Sequence, residues 1–529
     1  MAKRKIEILD TTLRDGAQME GISFSVNDKF QVLENLATLG IRYVEAGNPG
    51  SNPKDREFFA RYNEAGNEAY GHALAAFGST RRKGLKPQDD KGLADLLSAG
   101  TETIVVFGKC WGLQVREVLR VSKKENLLMI EETIAWLTEK GREVIFDAEH
   151  FFEAWRENQE YTMECMRAAE RGGAVCICLC DTNGSTMPEE VARVTTEMVS
   201  AFAGMKIGIH CHNDTGMAVA NSIAAVLAGA DHVQGTLNGI GERCGNANLA
   251  TIIANLELKY DISCLPEGRL EMLTPIARAM AEVANIVIPN GEPYVGLSAF
   301  THKAGMHVDG VKKNPATFEH VPPDSVGNFR RFLMSEIAGR SAVLDVIRRI
   351  RPEMAKDAPE VAGVLHKLKA MEHEGYHFEG AEASQELLVC KELGIYKPFF
   401  NLEKIRIASE QPQTGEYSAY AFIKILVDGV DETTAAEGEG PVNAMDRALK
   451  KAMKVFYPEL TDVRLTDFKV RVLNADATAS SVRTLIESTD GHRVWRTVGV
   501  STDVLEASWQ ALVDSLEYKL MRSQLGWEE

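Results

Sequence analysis

The spacing of apolar and polar positions switches between two periods along the first half of the chain. Short β-rich runs recur: "KIEILD" (5–10), "YVEAG" (43–47), "HALAAF" (72–77), "TIVVFG" (103–108), "EVIFDAEHF" (143–151), "CICLCDT" (176–182), "KIGIHCHN" (206–213) and "HVQGTLNG" (232–239). Between them, segments such as "KFQVLENLATLG" and "ETIAWLTEKG" are apolar at three- and four-residue intervals and stop at Gly. That pattern predicts helices closed by a glycine. Eight strand–helix alternations over about 250 residues are what a (β/α)8 barrel requires. An open doubly wound sheet also alternates, but no Gly-rich dinucleotide fingerprint follows the first strand, which favours closure. The predicted class is α/β, with a TIM barrel over 1–270.

Residues 271–400 read as mainly helical, broken at Pro289, Pro293 and "VPPDSVGN". From 401 to 529 the period changes again. "KIRIASEQ", "YSAYAFIKILVDG" and "ETTAAEGEG" read as strands closed by the helix "GPVNAMDRALKKAMKVFY". "LTDFKVRVL", "ATASSVRTLIES" and "HRVWRTVGVS" repeat the scheme before "DVLEASWQALVDSLEYKL". Two strand-rich halves, each ending in a helix, predict an internally duplicated α+β module. A regulatory role and a plain dimerisation role both fit it.

At 529 residues the chain exceeds one core, so several folding units are expected. A net charge of −17 argues against a nucleic-acid backbone as partner, although Arg81, Arg82 and Lys83 form a local patch able to hold one small phosphorylated ligand. No apolar run approaches the roughly 18 residues a membrane helix needs. Nine cysteines without framework spacing suggest a reducing cytoplasm. Cys176, Cys178 and Cys180 imitate a metal motif, but a buried strand interior explains the row more simply.

A TIM barrel collects its functional residues at the C-terminal ends of its strands. Arg14, Asp15 and Gln18 follow the first run, Glu45 lies near the end of the second, and Glu149 ends the fifth. Thr182 ends the sixth, His210 and His212 the seventh, and Asn246 follows the eighth in "GIGERCGNANL". Side chains alternate along a strand, so His210 and His212 share a face. With Asp15 they make a facial set of two imidazoles and a carboxylate that leaves positions open for substrate. The competing reading has the histidines capping a strand end and Asp15 opening a helix. Imidazoles suit Zn, Mn or Co better than Mg. Helix capping is the reading for most of Asn213, Asp214 and Thr215, which precede the helical pattern "GMAVANSIAAVLAG". Phe107 and Phe146 are bulky enough to narrow a pocket near the fourth and fifth strands.

The stretches "LDTTLRDGAQ", "HCHNDTGMAVANS", "GTLNGIGERCGNANL" and "FTHKAGMHVDG" closely resemble the acetyl-CoA-dependent 2-oxo-acid condensing enzymes: the 2-isopropylmalate, homocitrate and citramalate synthases. "FDAEHFF", "VGNFRRFLMSEIAGRSAVL" and "GEGPVNAMDRALKKAM" resemble the longer bacterial citramalate synthases most. The resemblance implies a Claisen-type condensation of acetyl-CoA with a small 2-oxo acid, pyruvate if the product is citramalate. It implies a divalent metal held by Asp15, His210 and His212 with Asn246 close by, and Arg14 and Glu149 as catalytic residues. Substrate contacts fall to Arg14, Gln18 and Thr182. His307 matches a proton-transfer histidine brought across a homodimer from the helical region; read without the resemblance, His302 and His307 are a helix-face pair. One departure is Phe318, where the family often has a tyrosine. The C-terminal module matches a domain that binds an amino-acid end product, isoleucine for citramalate. Alternatives are 2-isopropylmalate or homocitrate synthesis, a lyase on the same barrel, or a metal-binding, ligand-sensing dimer without turnover.

Overall fold

The computed structural model describes residues 3–65, 73–303, 305–332, 340–410, 418–473, 480–491 and 493–526. His72, Ala304, His492, residues 333–339 of "VGNFRRFLMSEIAGRSAVL" and the ends of several C-terminal runs lie outside them. Two compact units emerge: Met1–Phe300 with Glu319–Arg330, and Thr301–Phe318 with Arg331–Glu529. The stretch 271–400 is therefore shared between them.

In the first unit eight parallel strands close into one barrel in chain order. They are β1 (Glu7–Asp10), β2 (Tyr43–Gly47), β3 (Ala73–Ser79), β4 (Thr103–Lys109), β5 (Glu143–Glu149), β6 (Cys176–Asp181), β7 (Lys206–Cys211) and β8 (His232–Gly235). Closure is made by β8 pairing with β1, Val233 opposite Ile8. This is the (β/α)8 barrel that the alternation predicts.

The helices form where the pattern places them, and local chemistry sets their ends. In Val26–Leu39, Ser25 accepts the Asp28 N–H at 3.2 Å and Asp28 accepts the Ser25 N–H at 2.7 Å. Such a cap stabilises a helix by about 1 kcal/mol. Gly40 ends it in the left-handed region at φ 90°. Val32, Leu33, Leu36 and Leu39 are fully buried in the main core, each contributing about 1.5–3 kcal/mol.

Inside the barrel, Leu9, Ala75, Val105, Ile145 and Cys176 form a small core of their own. Strand register fixes which neighbours look inward. Phe107 pairs with Asp147 and Val106 with Phe146; Phe107 and Asp147 line the cavity at the barrel mouth. Phe146 packs into the outer core instead, against Gly108, where a Cβ would come 2.7 Å from its ring. Only Phe107 of the two expected bulky residues therefore narrows the cavity.

The second unit contains the parallel pair Thr301–His302 and Arg331–Phe332, then the helix Gly305–Lys313. His302 is thus on a strand and His307 on a helix, so they are not a helix-face pair. Helices Arg340–Ile350, Pro359–His373 and Glu382–Glu392 precede the duplicated module. Its first half is the antiparallel sheet Asn401–Glu410, Ser418–Val427, Val430–Gly438 with helix Pro441–Met453. Its second is Arg464–Val472, Val482–Thr489, Val494–Ser501 with helix Val504–Leu525. Ala419, Ala421, Ile423 and Ile425 point to one face by strand alternation, into a core shared with Ala444, Ala448 and Leu449.

Candidate active site

The C-terminal ends of the strands surround a cavity of about 240 Å³ lined by charged residues and two aromatic rings. Arg14, Asp15 and Gln18 reach it from the turn after β1, Glu149 from β5, Thr182 from the end of β6, and His210 and His212 from β7 and its end. His210 and His212 are 5.4 Å apart between ring centres. Their Nε2 atoms lie 3.1 and 3.9 Å from Asp15 Oδ2. Ligand atoms of all three residues fall within 4.8 Å of one another, and all three side chains are buried.

The hydrogen-bond network sets the orientation of His210. Gln234, buried on β8, donates from Nε2 to Asp147 Oδ1 at 2.8 Å. Its Oε1 therefore faces His210 Nδ1 at 2.9 Å and must accept from it. That leaves the His210 Nε2 lone pair aimed at Asp15, and two acceptors held this close call for a positive charge between them. Burial opposes protonation of His210, but contact with Asp15 outweighs it and pushes its pKa up. A divalent cation answers the same demand. Burial and the neighbouring His210 push His212 down to about 4, so it is a neutral lone-pair donor at pH 7. Burial alone would raise Asp15, yet Arg14 and His210 hold its carboxyl far below the usual range.

Asn246 does not line the cavity. An isolated antiparallel bridge joins its backbone to that of His212, and both its side-chain polar atoms are buried without a hydrogen-bond partner. An orphaned amide beside two imidazoles and a carboxylate fits a cation with further oxygen-bound ligands. Asp147, Cys178 and Cys180 also come within ligand distance of one another. Burial raises the Cys178 thiol far above its ordinary value, so it stays protonated and a poor ligand. The strand-interior reading of the cysteine row fits this.

Arg14 is held on three sides. It pairs with Glu45, meets Asp15 at 3.2 Å and stands 3.9 Å over the Phe77 ring. Burial pushes Glu45 up to about 7, with Arg14 opposing. Phe77 stacks on Phe107, ring centres 5.1 Å apart, and the two form the apolar wall. Glu149 pairs with Lys109 at 2.5 Å. The Thr182 hydroxyl oxygen accepts the His150 N–H at 2.9 Å, which leaves its proton free to donate. Of the expected capping residues only Asn213 serves the following helix, accepting from Ala218 N at 3.2 Å. Asp214 pairs with Arg243 at 2.8 Å, and Thr215 donates to Gly184 O at 2.7 Å.

His307 belongs to the second unit, where it is exposed and stacked on Phe318 at 4.1 Å. Sequence reasoning missed Gln234, Asp147 and Phe77. Alternation within β5 and β8 could have turned Asp147 and Gln234 inward without revealing their bridge to His210; nothing in "HALAAF" marked Phe77 as inward.

A closed parallel barrel with a histidine–carboxylate mouth defines a class, and the comparisons agree. Residues 5–275 match the family described as "HMGL-like". Residues 294–375 match "Homocitrate synthase post-HMGL domain-like", and 379–520 match "LeuA allosteric (dimerisation) domain". The chain is 47% identical to an (R)-citramalate synthase of Aquifex aeolicus, covering 98% of both chains. It is 46% identical to one of Geobacter sulfurreducens, again over 98% of both. A probable 2-isopropylmalate synthase of Methanopyrus kandleri is more distant, 31% identical over 96% of this chain and 97% of that one. The chain belongs to the (R)-citramalate synthase family.

Proposed function

We propose that the chain joins acetyl-CoA to pyruvate, giving (R)-citramalate and free CoA, at the mouth of its barrel. The observation that carries this reading is Arg14 clamped beside Asp15, His210 and His212 in a small cavity walled by Phe77 and Phe107. A divalent cation held by Asp15, His210 and His212, with Asn246 bridged to His212 close by, would supply Lewis acidity at a keto oxygen. Zn, Mn or Co suits the imidazoles better than Mg.

The chain's own residues then have separable tasks. Arg14 neutralises charge that develops on the keto oxygen, and its three contacts hold it in place before reaction. Thr182 donates its free hydroxyl proton to the substrate carboxylate, with Gln18 at the rim. Glu149 orients the proton-transfer group or water, and Lys109 fixes its carboxylate. A base removes a methyl proton from acetyl-CoA, the methyl carbon bonds to the keto carbon, and water cleaves the thioester. His307 is assigned to proton transfer, reaching a barrel of the partner subunit in a homodimer. Its exposure and its stacking on Phe318 support that role; a phenyl ring orients the imidazole but relays no proton.

Phe77 and Phe107 leave room for a methyl group more readily than for an isopropyl group, which supports pyruvate over 2-oxoisovalerate. The duplicated module, matched by the "LeuA allosteric (dimerisation) domain", is assigned to subunit pairing and end-product binding, with isoleucine as effector. All nine cysteines are free, in keeping with a cytoplasmic enzyme of isoleucine biosynthesis. No described helix is long and apolar enough to cross a membrane. Thiol release from acetyl-CoA across a panel of 2-oxo acids, with product identification, tests the reading. Pyruvate should give the highest kcat/KM; a preference for 2-oxoisovalerate would move the chain to the isopropylmalate reaction.

A further inference from the structure

Lys29 opens the run "KFQVLENLATLG", and helical periodicity sets it one turn ahead of Val32, Leu33 and Leu36 on the face that meets the core. The lysine is buried there, 3% exposed, and Asp55 of the helix Pro53–Ala65 lies beside it, 6% exposed. Two apolar side chains of similar size would stabilise such a position at least as well as a buried ion pair. Stability alone therefore gives no reason for a charge on this face.

The ammonium protons go to one carboxylate and two backbone carbonyls. Nζ donates to Asp55 Oδ1 at 2.6 Å, to Ala46 O at 2.7 Å and, at a longer 3.5 Å, to Leu13 O. Each carbonyl belongs to a neighbour of an active-site residue: Ala46 follows Glu45, and Leu13 precedes Arg14. Asp55 extends the grip. Its Oδ2 accepts the Asn48 N–H at 2.8 Å, and Asn52 Nδ2 donates to Oδ1 at 3.2 Å. Between Ala46 and Asn48, Gly47 takes φ 135°, and a Cβ there would stand 2.2 Å from Asp55 Oδ2. The exit of β2 is thus bound to the pair on both sides of Gly47. Directly before it comes Glu45, fully buried, whose carboxylate holds Arg14 Nε. Lys29 and Asp55 line a separate cavity of about 300 Å³, which shares Arg14, Gln18 and Phe77 with the active-site cavity.

We propose that Lys29, locked by Asp55, is a positioning residue for the condensation: it fixes the end of β2 so that Glu45 presents Arg14 to the keto oxygen. The proposal rests on the condensation reading above and extends it to a pair that does not line the active-site cavity. Arg14 acts on charge that develops as the carbon–carbon bond forms, so its displacement falls on turnover. A shift of about 1 Å in such a group costs about 100-fold.

The test is a double-mutant cycle between K29M/D55L and Arg14→Ala, run with acetyl-CoA and pyruvate. K29M/D55L nearly keeps the volume of the pair and removes both charges. Thermal melting checks that it folds, and K29Q/D55N takes its place in the cycle if it does not. In the wild-type background the change should lower kcat by about 10–100-fold and leave KM for acetyl-CoA within about twofold. In the Arg14→Ala background it should cost less than about threefold, because the group it positions is already gone. Equal losses in the two backgrounds, or a kcat within about threefold of wild type, overturn the proposal. A crystal structure of the variant gives a readout that needs no turnover. Arg14 should be displaced from Glu45 there, and an Arg14 that keeps its place also overturns the proposal. A wild type that condenses no 2-oxo acid, with Arg14 displaced in the variant, sinks the function and keeps the positioning role. A wild type that condenses pyruvate while Arg14 stays put in the variant does the reverse.

Discussion

Gln234→Leu removes a side chain that ties His210 to Asp147, and its consequences can be worked from the geometry. Gln234 is fully buried, donates to Asp147 Oδ1 at 2.8 Å and accepts from His210 Nδ1 at 2.9 Å. Leucine has similar bulk and neither function, so two buried polar groups lose their partner at once. Each such loss costs about 1–3 kcal/mol, giving a destabilisation of about 2–6 kcal/mol if the two add. The second effect falls on the metal. Without its acceptor, His210 is free to exchange tautomers and present a protonated Nε2 to the ion. Removing a partner that orients a ligand typically weakens metal binding about 10–100-fold. Calorimetric titration of the metal-free protein with Mn²⁺, paired with thermal melts, measures both. A Mn²⁺ Kd within about twofold of wild type in a folded Gln234→Leu protein would refute the tautomer argument.

Four further outcomes follow from other parts of the molecule. Phe107→Ala should enlarge the cavity and lower the pyruvate-over-2-oxoisovalerate ratio of kcat/KM by about tenfold, since hydrophobic discrimination of this kind amounts to about 1–3 kcal/mol; an unchanged ratio removes Phe107 from specificity. Asp55→Ala strands Lys29, which pairs with Asp55 at 2.6 Å with side-chain exposures of 4% and 8%. Chemical denaturation should show a loss of about 3–5 kcal/mol, and a Lys29→Met/Asp55→Leu pair should recover part of it. His232 and Lys206 hold the Glu7 carboxyl down, from 4.5 to about 2, with burial opposing. The stabilisation from Glu7 is therefore complete above pH 4.5 and lost as pH falls toward about 2. Glu7→Gln should lower Tm at pH 7, with the gap to wild type closing over that window; a gap that widens on acidification contradicts the assignment. Thr182→Val should raise KM for pyruvate about tenfold while leaving KM for acetyl-CoA within about twofold, read from initial rates.

The barrel was legible because its signal is repeated eight times and because strand ends concentrate polar residues. His210 and His212 could be put on one face by alternation alone, and Asp15 followed from the rule that function gathers at one rim. Parity was harder wherever both faces of a strand are apolar. Phe107 and Phe146 both looked able to narrow a pocket, yet the register that sets Phe107 beside Asp147 turns Phe146 outward onto Gly108. In β3 the run "ALAAFGS" carries no alternation, so Phe77 gave no sign that it carries Arg14 on its face. Gln234 was hidden for a different reason. Its role comes from two partners, Asp147 and His210, that are 87 and 24 residues away in the chain, and no local spacing encodes such a bridge. The polar run after β7 misled in the opposite sense: only Asn213 caps the helix, because Asp214 has Arg243 within reach and Thr215 has a loop carbonyl.

The central claim is that one divalent ion, gripped by Asp15, His210 and His212, makes this barrel mouth a condensing site. Its most direct test measures bound metal and citramalate formation together in wild type, Asp15→Ala and His212→Ala. Both variants should lose the ion and at least about 100-fold of kcat/KM in step, and chelation should reduce wild type to the same level until the metal is returned. Full citramalate formation by a metal-free protein would contradict the account.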